Sequence, residues 1–248
     1  MTTPSIHPVP LVLRTMWRTT IPWILLFIGG FYLIYLTIDA VILASGNQPT
    51  TSMVDTAVGG GPKYVLFSYG IVFVSMSLQT YVAFGVTRRH FAAALGVFAL
   101  SLSAIIAVVL VFSYAIEHAF YVANDVLPRL HDYSYHSSAD IIPLLLENWL
   151  VFYAHLAAAA LIVVGYARTG AYVGTLLIPV MILPVFLTEG VFGAKWLGVG
   201  LVALFRVGPA PWPVATIVSV LTCAIASAAV YLLMRRMPVG AKIGQLGF

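Results

Sequence analysis

Apolar residues in this chain neither alternate with polar ones nor recur at the spacing of a one-sided helix. They run on without interruption, in stretches near 21–44, 64–85, 91–116, 145–166, 171–190 and 213–234. A helix of about 20 residues crosses a hydrocarbon layer about 30 Å thick, and each stretch is close to that length or longer. Barrel strands alternate and are shorter, so helices are predicted throughout. The fold class expected is an all-α integral membrane protein, a single transmembrane domain over 1–248 with six spanning helices.

The polar punctuation between the runs is uneven. The link after the second run is very short and basic, Gly85-Val86-Thr87-Arg88-Arg89-His90, whereas 45–63 is polar, ends in Gly59-Gly60-Gly61-Pro62 and reads as loop. Segment 117–143 is long and polar, with helix expected only over part of 117–127. Segment 191–212 is mostly apolar, yet Lys195, Arg206, several glycines and two prolines interrupt it. A broken hairpin dipping into the outer leaflet fits it better than a spanning helix, because irregular backbone at membrane depth must be shielded by protein. Pro179 and Pro184 are expected to bend the fifth span. Over 8–20, Arg14 and Arg18 share one face and Leu13, Met16 and Trp17 another. That stretch reads either as an amphipathic helix lying in the interface or as a positive flank of the first span.

Composition and charge then orient the chain. With 61% hydrophobic and 8% charged residues, a soluble globule would have too little polar surface. All 8 carboxylates lie at or beyond run ends that would share one side of the membrane, from Asp39 to Glu189. Of the 12 lysines and arginines, Arg14, Arg18, Arg88, Arg89, Arg168, Arg235, Arg236 and Lys242 fall on the other. Basic residues are retained in the cytoplasm, so both termini are expected inside and the acidic loops outside. The formal charge of +4 is accordingly directed at anionic membrane lipids, and no nucleic-acid partner is expected. The first run is too long for a signal-peptide core and reads as a retained signal anchor. The 1 cysteine, Cys223, excludes a disulfide within the chain.

Candidate chemistry is sparse. No lysine follows a phosphate-loop pattern, and no H-E-x-x-H, C-x-x-C or G-x-S-x-G occurs, so no catalytic residue, metal site or cofactor is assigned to this chain. Glu117, His118, His131, Asp132, His136 and Asp140 are suitable ligand types for a divalent metal, but polar external loops collect such residues for solubility, which is the favoured reading. His155 falls near the middle of the fourth span, where an ionisable group is costly and faces the bundle interior. A neutral imidazole bonded to a neighbouring helix is favoured over a proton or substrate role. Glu147 and Asn148, with Asp39 and Glu189, either line an external vestibule or mark the interface, and Ser75 and Gln79, with Ser68, either line a polar path or pack. Ala157 to Ala160, Gly165, Ala224 and Ala228 make small surfaces for close helix approach.

The order of these features resembles the membrane subunit of type-2 ABC exporters of bacteria. Locally the resemblance rests on Phe84-Gly85-Val86-Thr87-Arg88-Arg89-His90-Phe91, which looks like the G-[VMI]-[ST]-R-[RK]-x-[FY] turn of such permeases. It implies a permease in the bacterial cell membrane, paired with a second copy or a paralogue and driven by a separate ATP-binding subunit that carries the ATP and magnesium. Thr87, Arg88, Arg89 and His90 would then transmit nucleotide-driven motion; otherwise the two arginines are ordinary anchors. Rival readings are a non-transporting membrane scaffold or sensor-associated protein whose external loop binds a ligand, and an intramembrane metal-dependent enzyme.

Overall fold

A computed structural model describes residues 8–46, 49–124, 126–127, 130, 133–193 and 209–236. Among the described residues the architecture is all-helical, and 5 helical stretches are long and apolar enough to cross a membrane. The helices are α1 (Pro8–Ala44), α2 (Met53–Gly60), α3 (Pro62–Ala83), α4 (Arg88–Ala123), α5 (Ile141–Met181), α6 (Leu183–Phe192) and α7 (Trp212–Arg235). Large apolar side chains such as Leu25, Leu26, Met76, Phe112, Ile116 and Ile225 remain exposed along them, as a lipid-facing surface requires.

The core is organised around the first arm of α5. Its residues from Val151 to Gly165 are buried without exception, because α3, α4, α6 and α7 all pack on it. Close approach of α3 depends on small residues: a Cβ on Gly70 would lie 2.8 Å from Ala159 Cβ and 3.3 Å from a Leu156 methyl. The stretch Ala157 to Ala160, expected from the sequence to admit a neighbouring backbone, does so here. Trp149 donates its indole N–H to the Leu100 carbonyl of α4, and the Tyr153 hydroxyl bonds Ser227 of α7 at 2.7 Å. An aromatic series, Tyr69, Phe73, Phe98 and Trp17, joins α3, α4 and α1 with centroid spacings of 5.3, 5.0 and 5.3 Å.

The chain reverses inside α5. Gly170 has φ 80° and ψ 176°, a conformation that side chains on Cβ disfavour, and the arm after it folds back on the arm before it. Tyr166 bonds Thr175 at 2.7 Å, a Cβ on Gly165 would meet Met181, and His155 faces Glu189. Pro179 does not break the helix, which runs on to Met181, but Pro184 has no N–H to continue it, so α6 starts anew after Ile182.

Several sequence expectations are corrected. Residues 8–44 form one continuous helix with Pro22 inside it, so the amphipathic stretch is not a separate interfacial element. Arg14 and Arg18 are exposed, but Trp17 packs edge-on against Phe98 and Met16 is buried. The loop expected over 45–63 contains α2, whose N-terminus is capped by Ser52. The helix expected over part of 117–127 is present as a continuation of α4, which runs past the expected span end at 116 to Ala123. Most of the broken hairpin expected over 191–212 lies outside the described residues; its flanks meet, with Ala210 N–H donating to the Val191 carbonyl at 2.9 Å.

Candidate functional site

Two places combine polar chemistry with a defined geometry: the turn between α3 and α4, and a buried charge cluster where α3, α5 and α6 meet.

The turn is built by local rules. Val86 N–H bonds the Tyr81 carbonyl at 2.9 Å and Gly85 N–H bonds Val82 at 3.0 Å, which closes α3 with Gly85 in the left-handed region at φ 81°. Thr87 then caps α4, its hydroxyl accepting from His90 N–H at 3.4 Å and bonding the His90 ring at 2.9 Å. The two helices are thus joined by four residues, 84–87, with no slack. Phe84 stands at the tip with 81% of its surface exposed. Arg89 is exposed, and its Nε donates to the Tyr231 hydroxyl of α7 at 3.3 Å, so part of its guanidinium braces the bundle rather than pointing outward. Nothing local to Arg89 signals that brace, because Tyr231 is 142 positions away.

The second place was only partly visible in the sequence. Lys63 Nζ donates to Glu189 Oε1 at 2.8 Å, with the side chains 3% and 0% exposed. His155 is also buried, and its Nε2 lies 3.6 Å from the same oxygen. The expectation that His155 bonds a neighbouring helix is corrected: Nδ1 bonds the Val151 carbonyl of its own helix at 2.7 Å. Tyr64 and Phe67 of α3 present their rings edge-on to the imidazole, 6.0 and 6.4 Å away. Thr188, next to Glu189, is fully buried. Glu147 lies in electrostatic range of Lys63 and of Asp55, while Asn148 is buried and donates to the Leu144 carbonyl.

Other predicted path residues are not gathered there. Ser75 bonds the Val72 carbonyl of its own helix and Gln79 is exposed, whereas α3 meets His155 through Tyr64 and Phe67. Ser68 instead lines a groove of about 1140 Å³ between α1 and α3, together with Thr15, Thr19 and Tyr69. The signal for Lys63 is its position: a lysine at the start of a span, among ends expected to be acidic, with Glu189 expected at the same depth.

The acidic and histidine residues expected on the outer side also find structural partners. Glu117 is buried, contrary to the solubility reading, and accepts from Ser52 Oγ at 2.6 Å, Met53 N–H at 2.8 Å, Val54 N–H at 3.1 Å and Tyr121 at 2.9 Å. It is an anion held at the N-terminus of α2. Asp55 accepts from Tyr114 at 2.7 Å and Ser134 N–H at 2.9 Å, and the His118 ring stacks on Tyr133. Asp140 closes a capping box with Ser137, and His131 and Asp132 lie outside the described residues. Among the described residues no three His, Cys, Asp or Glu side chains converge as a metal site would require.

No family model matches the chain, and neither a curated protein nor a solved structure matches it. Geometry and charge therefore carry the functional reading, on a chain whose long apolar helices are consistent with a multi-pass membrane protein.

Proposed function

We propose that this chain is the permease subunit of an ATP-driven transporter of the ABC exporter kind, working with a separate ATP-binding subunit and a second permease copy or paralogue in a bacterial cell membrane. The observation that carries the reading is the turn at 84–90. Two long helices meet there in a rigid cap that exposes an aromatic ring beside cationic side chains, a compact shape suited to a cleft on another protein. Counting the fold-back at Gly170 as a cytoplasmic turn makes six crossings, with Arg88, Arg89, Arg168 and Arg235 on one side, which agrees with retention of basic residues inside. ATP and magnesium belong to the partner in this reading, and the chain contributes motion rather than nucleotide chemistry.

Replacing Arg88 and Arg89 together by lysine tests it. Charge and insertion are preserved, but the planar fork that addresses carboxylates and carbonyls is lost. The expected result is normal membrane assembly with weaker co-purification of the ATP-binding subunit, or ATP turnover uncoupled from transport. Tyr231→Phe removes only the internal bond from Arg89 and is expected to keep the partner. A double lysine variant that retains the partner and transports like the parent would return the turn to the role of a topological anchor.

A further inference from the structure

The buried cluster has a feature that a nucleotide-driven cycle does not require. A carbonyl oxygen only accepts, so the 2.7 Å bond between His155 Nδ1 and the Val151 carbonyl puts the ring hydrogen on Nδ1. In the neutral imidazole the other nitrogen is then a bare acceptor. Among the described residues that nitrogen, Nε2, has no hydrogen-bond partner, and it faces Glu189 Oε1 at 3.6 Å. A lone pair thus opposes a carboxylate oxygen where both side chains are buried and little solvent screens them. Lys63 donates to that same oxygen and leaves Nε2 unaddressed.

The charges surrounding the ring lead to the same conclusion. Helix α3 brings Lys63 and the Tyr64 phenol, α5 brings Glu147, α6 brings Glu189, and α7 brings the Cys223 thiol, which bonds the Leu150 carbonyl. Farther out, Asp55 of α2 acts on Glu147, and Glu147 in turn acts on the Tyr114 phenol of α4. Lys63 offsets Glu189, and Glu147 is a second carboxyl that faces the cluster from α5. Glu189 is the carboxylate in reach of the ring nitrogen, so a proton held on His155 finds its counter-charge there.

We propose that His155, Glu189 and Lys63 form a proton-binding site inside the bundle, loaded when a proton enters between His155 Nε2 and Glu189 Oε1. The proton adds to the Nε2 lone pair, the Nδ1 hydrogen stays on Val151, and no covalent bond breaks. The new Nε2–H donates to Glu189 as the gap closes by several tenths of an ångström to bonding distance. Because Lys63 uses the same oxygen, loading loosens the pair that ties α3 to α6.

The full-length protein in lipid nanodiscs, labelled with ¹⁵N-histidine, tests this directly, with the His155 signal identified by its loss in His155→Gln. At neutral pH the ring is expected to be neutral with its hydrogen on Nδ1, and to gain a proton on Nε2 as the pH falls from about 8 to 5. In Glu189→Gln proton affinity is expected to fall at least about tenfold, one pH unit, and in Lys63→Met to rise by a similar factor. A parent ring that stays neutral to about pH 5, or carries its hydrogen on Nε2 at neutral pH, overturns the proposal. So does an unchanged midpoint in Glu189→Gln; should that variant fail to fold, an unchanged midpoint in Lys63→Met has the same force. None of these signals needs an ATP-binding partner, so the proton site and the permease reading fail separately.

Discussion

Cutting the Lys63–Glu189 pair from one side should be far more damaging than removing it whole. The two side chains are 3% and 0% exposed and 2.8 Å apart, so each has exchanged nearly all its hydration for the other. Lys63→Met takes the ammonium away from a buried carboxylate, and Glu189→Met takes the carboxylate away from a buried ammonium. Removing one partner of such a pair costs about 3–5 kcal/mol, whereas apolar replacement of both is about neutral or stabilising by roughly 1–4 kcal/mol. The expected pattern is two single variants each destabilised by at least about 3 kcal/mol, and a double variant close to the parent. The two substitutions are then coupled by at least about 6 kcal/mol, beyond the roughly 0.5–3 kcal/mol usual for neighbouring residues. Reversible unfolding in mixed micelles at rising SDS fraction, followed by far-UV circular dichroism, gives the three differences on one scale. Additive losses, with the double variant the least stable, would refute the reasoning, as would a single-variant cost below about 1 kcal/mol.

Two further outcomes follow from packing. Gly70→Ala is expected to cost up to about 2 kcal/mol in the same assay, since its Cβ meets Ala159 Cβ at 2.8 Å and the helices must part, while helix propensity returns about 1 kcal/mol. Gly165→Ala meets only the Met181 thioether end, which swings aside, so a larger loss there than at Gly70 would contradict the packing account. Glu117→Gln removes a charge that holds two backbone N–H groups and two hydroxyls, at about 1–3 kcal/mol, and should expose 49–61 to protease from the outside. Unchanged protease protection would show that α2 is held by other contacts.

The long helices could be read from the sequence because lipid imposes a length and an apolar run that no tertiary contact overrides, as 213–234 against Trp212–Arg235 illustrates. What escaped depends on partners distant in the chain. Residues 45–63 look like loop because the group that caps α2, Glu117, lies more than 60 positions away from Ser52. His155 was legible as a buried imidazole, but its facing of Glu189 depends on the fold-back at Gly170, which sets two residues 34 positions apart side by side. Trp17 illustrates a local ambiguity. Its amphipathic spacing suits either a headgroup or a helix face, and only the Phe98 ring on α4 decides between them.

The central claim is that the tip of the α3–α4 turn seats in an ATP-binding subunit. A photo-reactive phenylalanine analogue placed at Phe84, the exposed tip residue, reads that contact in intact cells. The account predicts an adduct with a protein carrying a nucleotide-binding phosphate loop, formed only when position 84 faces the cytoplasm. Adducts confined to lipid or to a second copy of this chain, or labelling of Phe84→Cys by an impermeant reagent from outside, would contradict it.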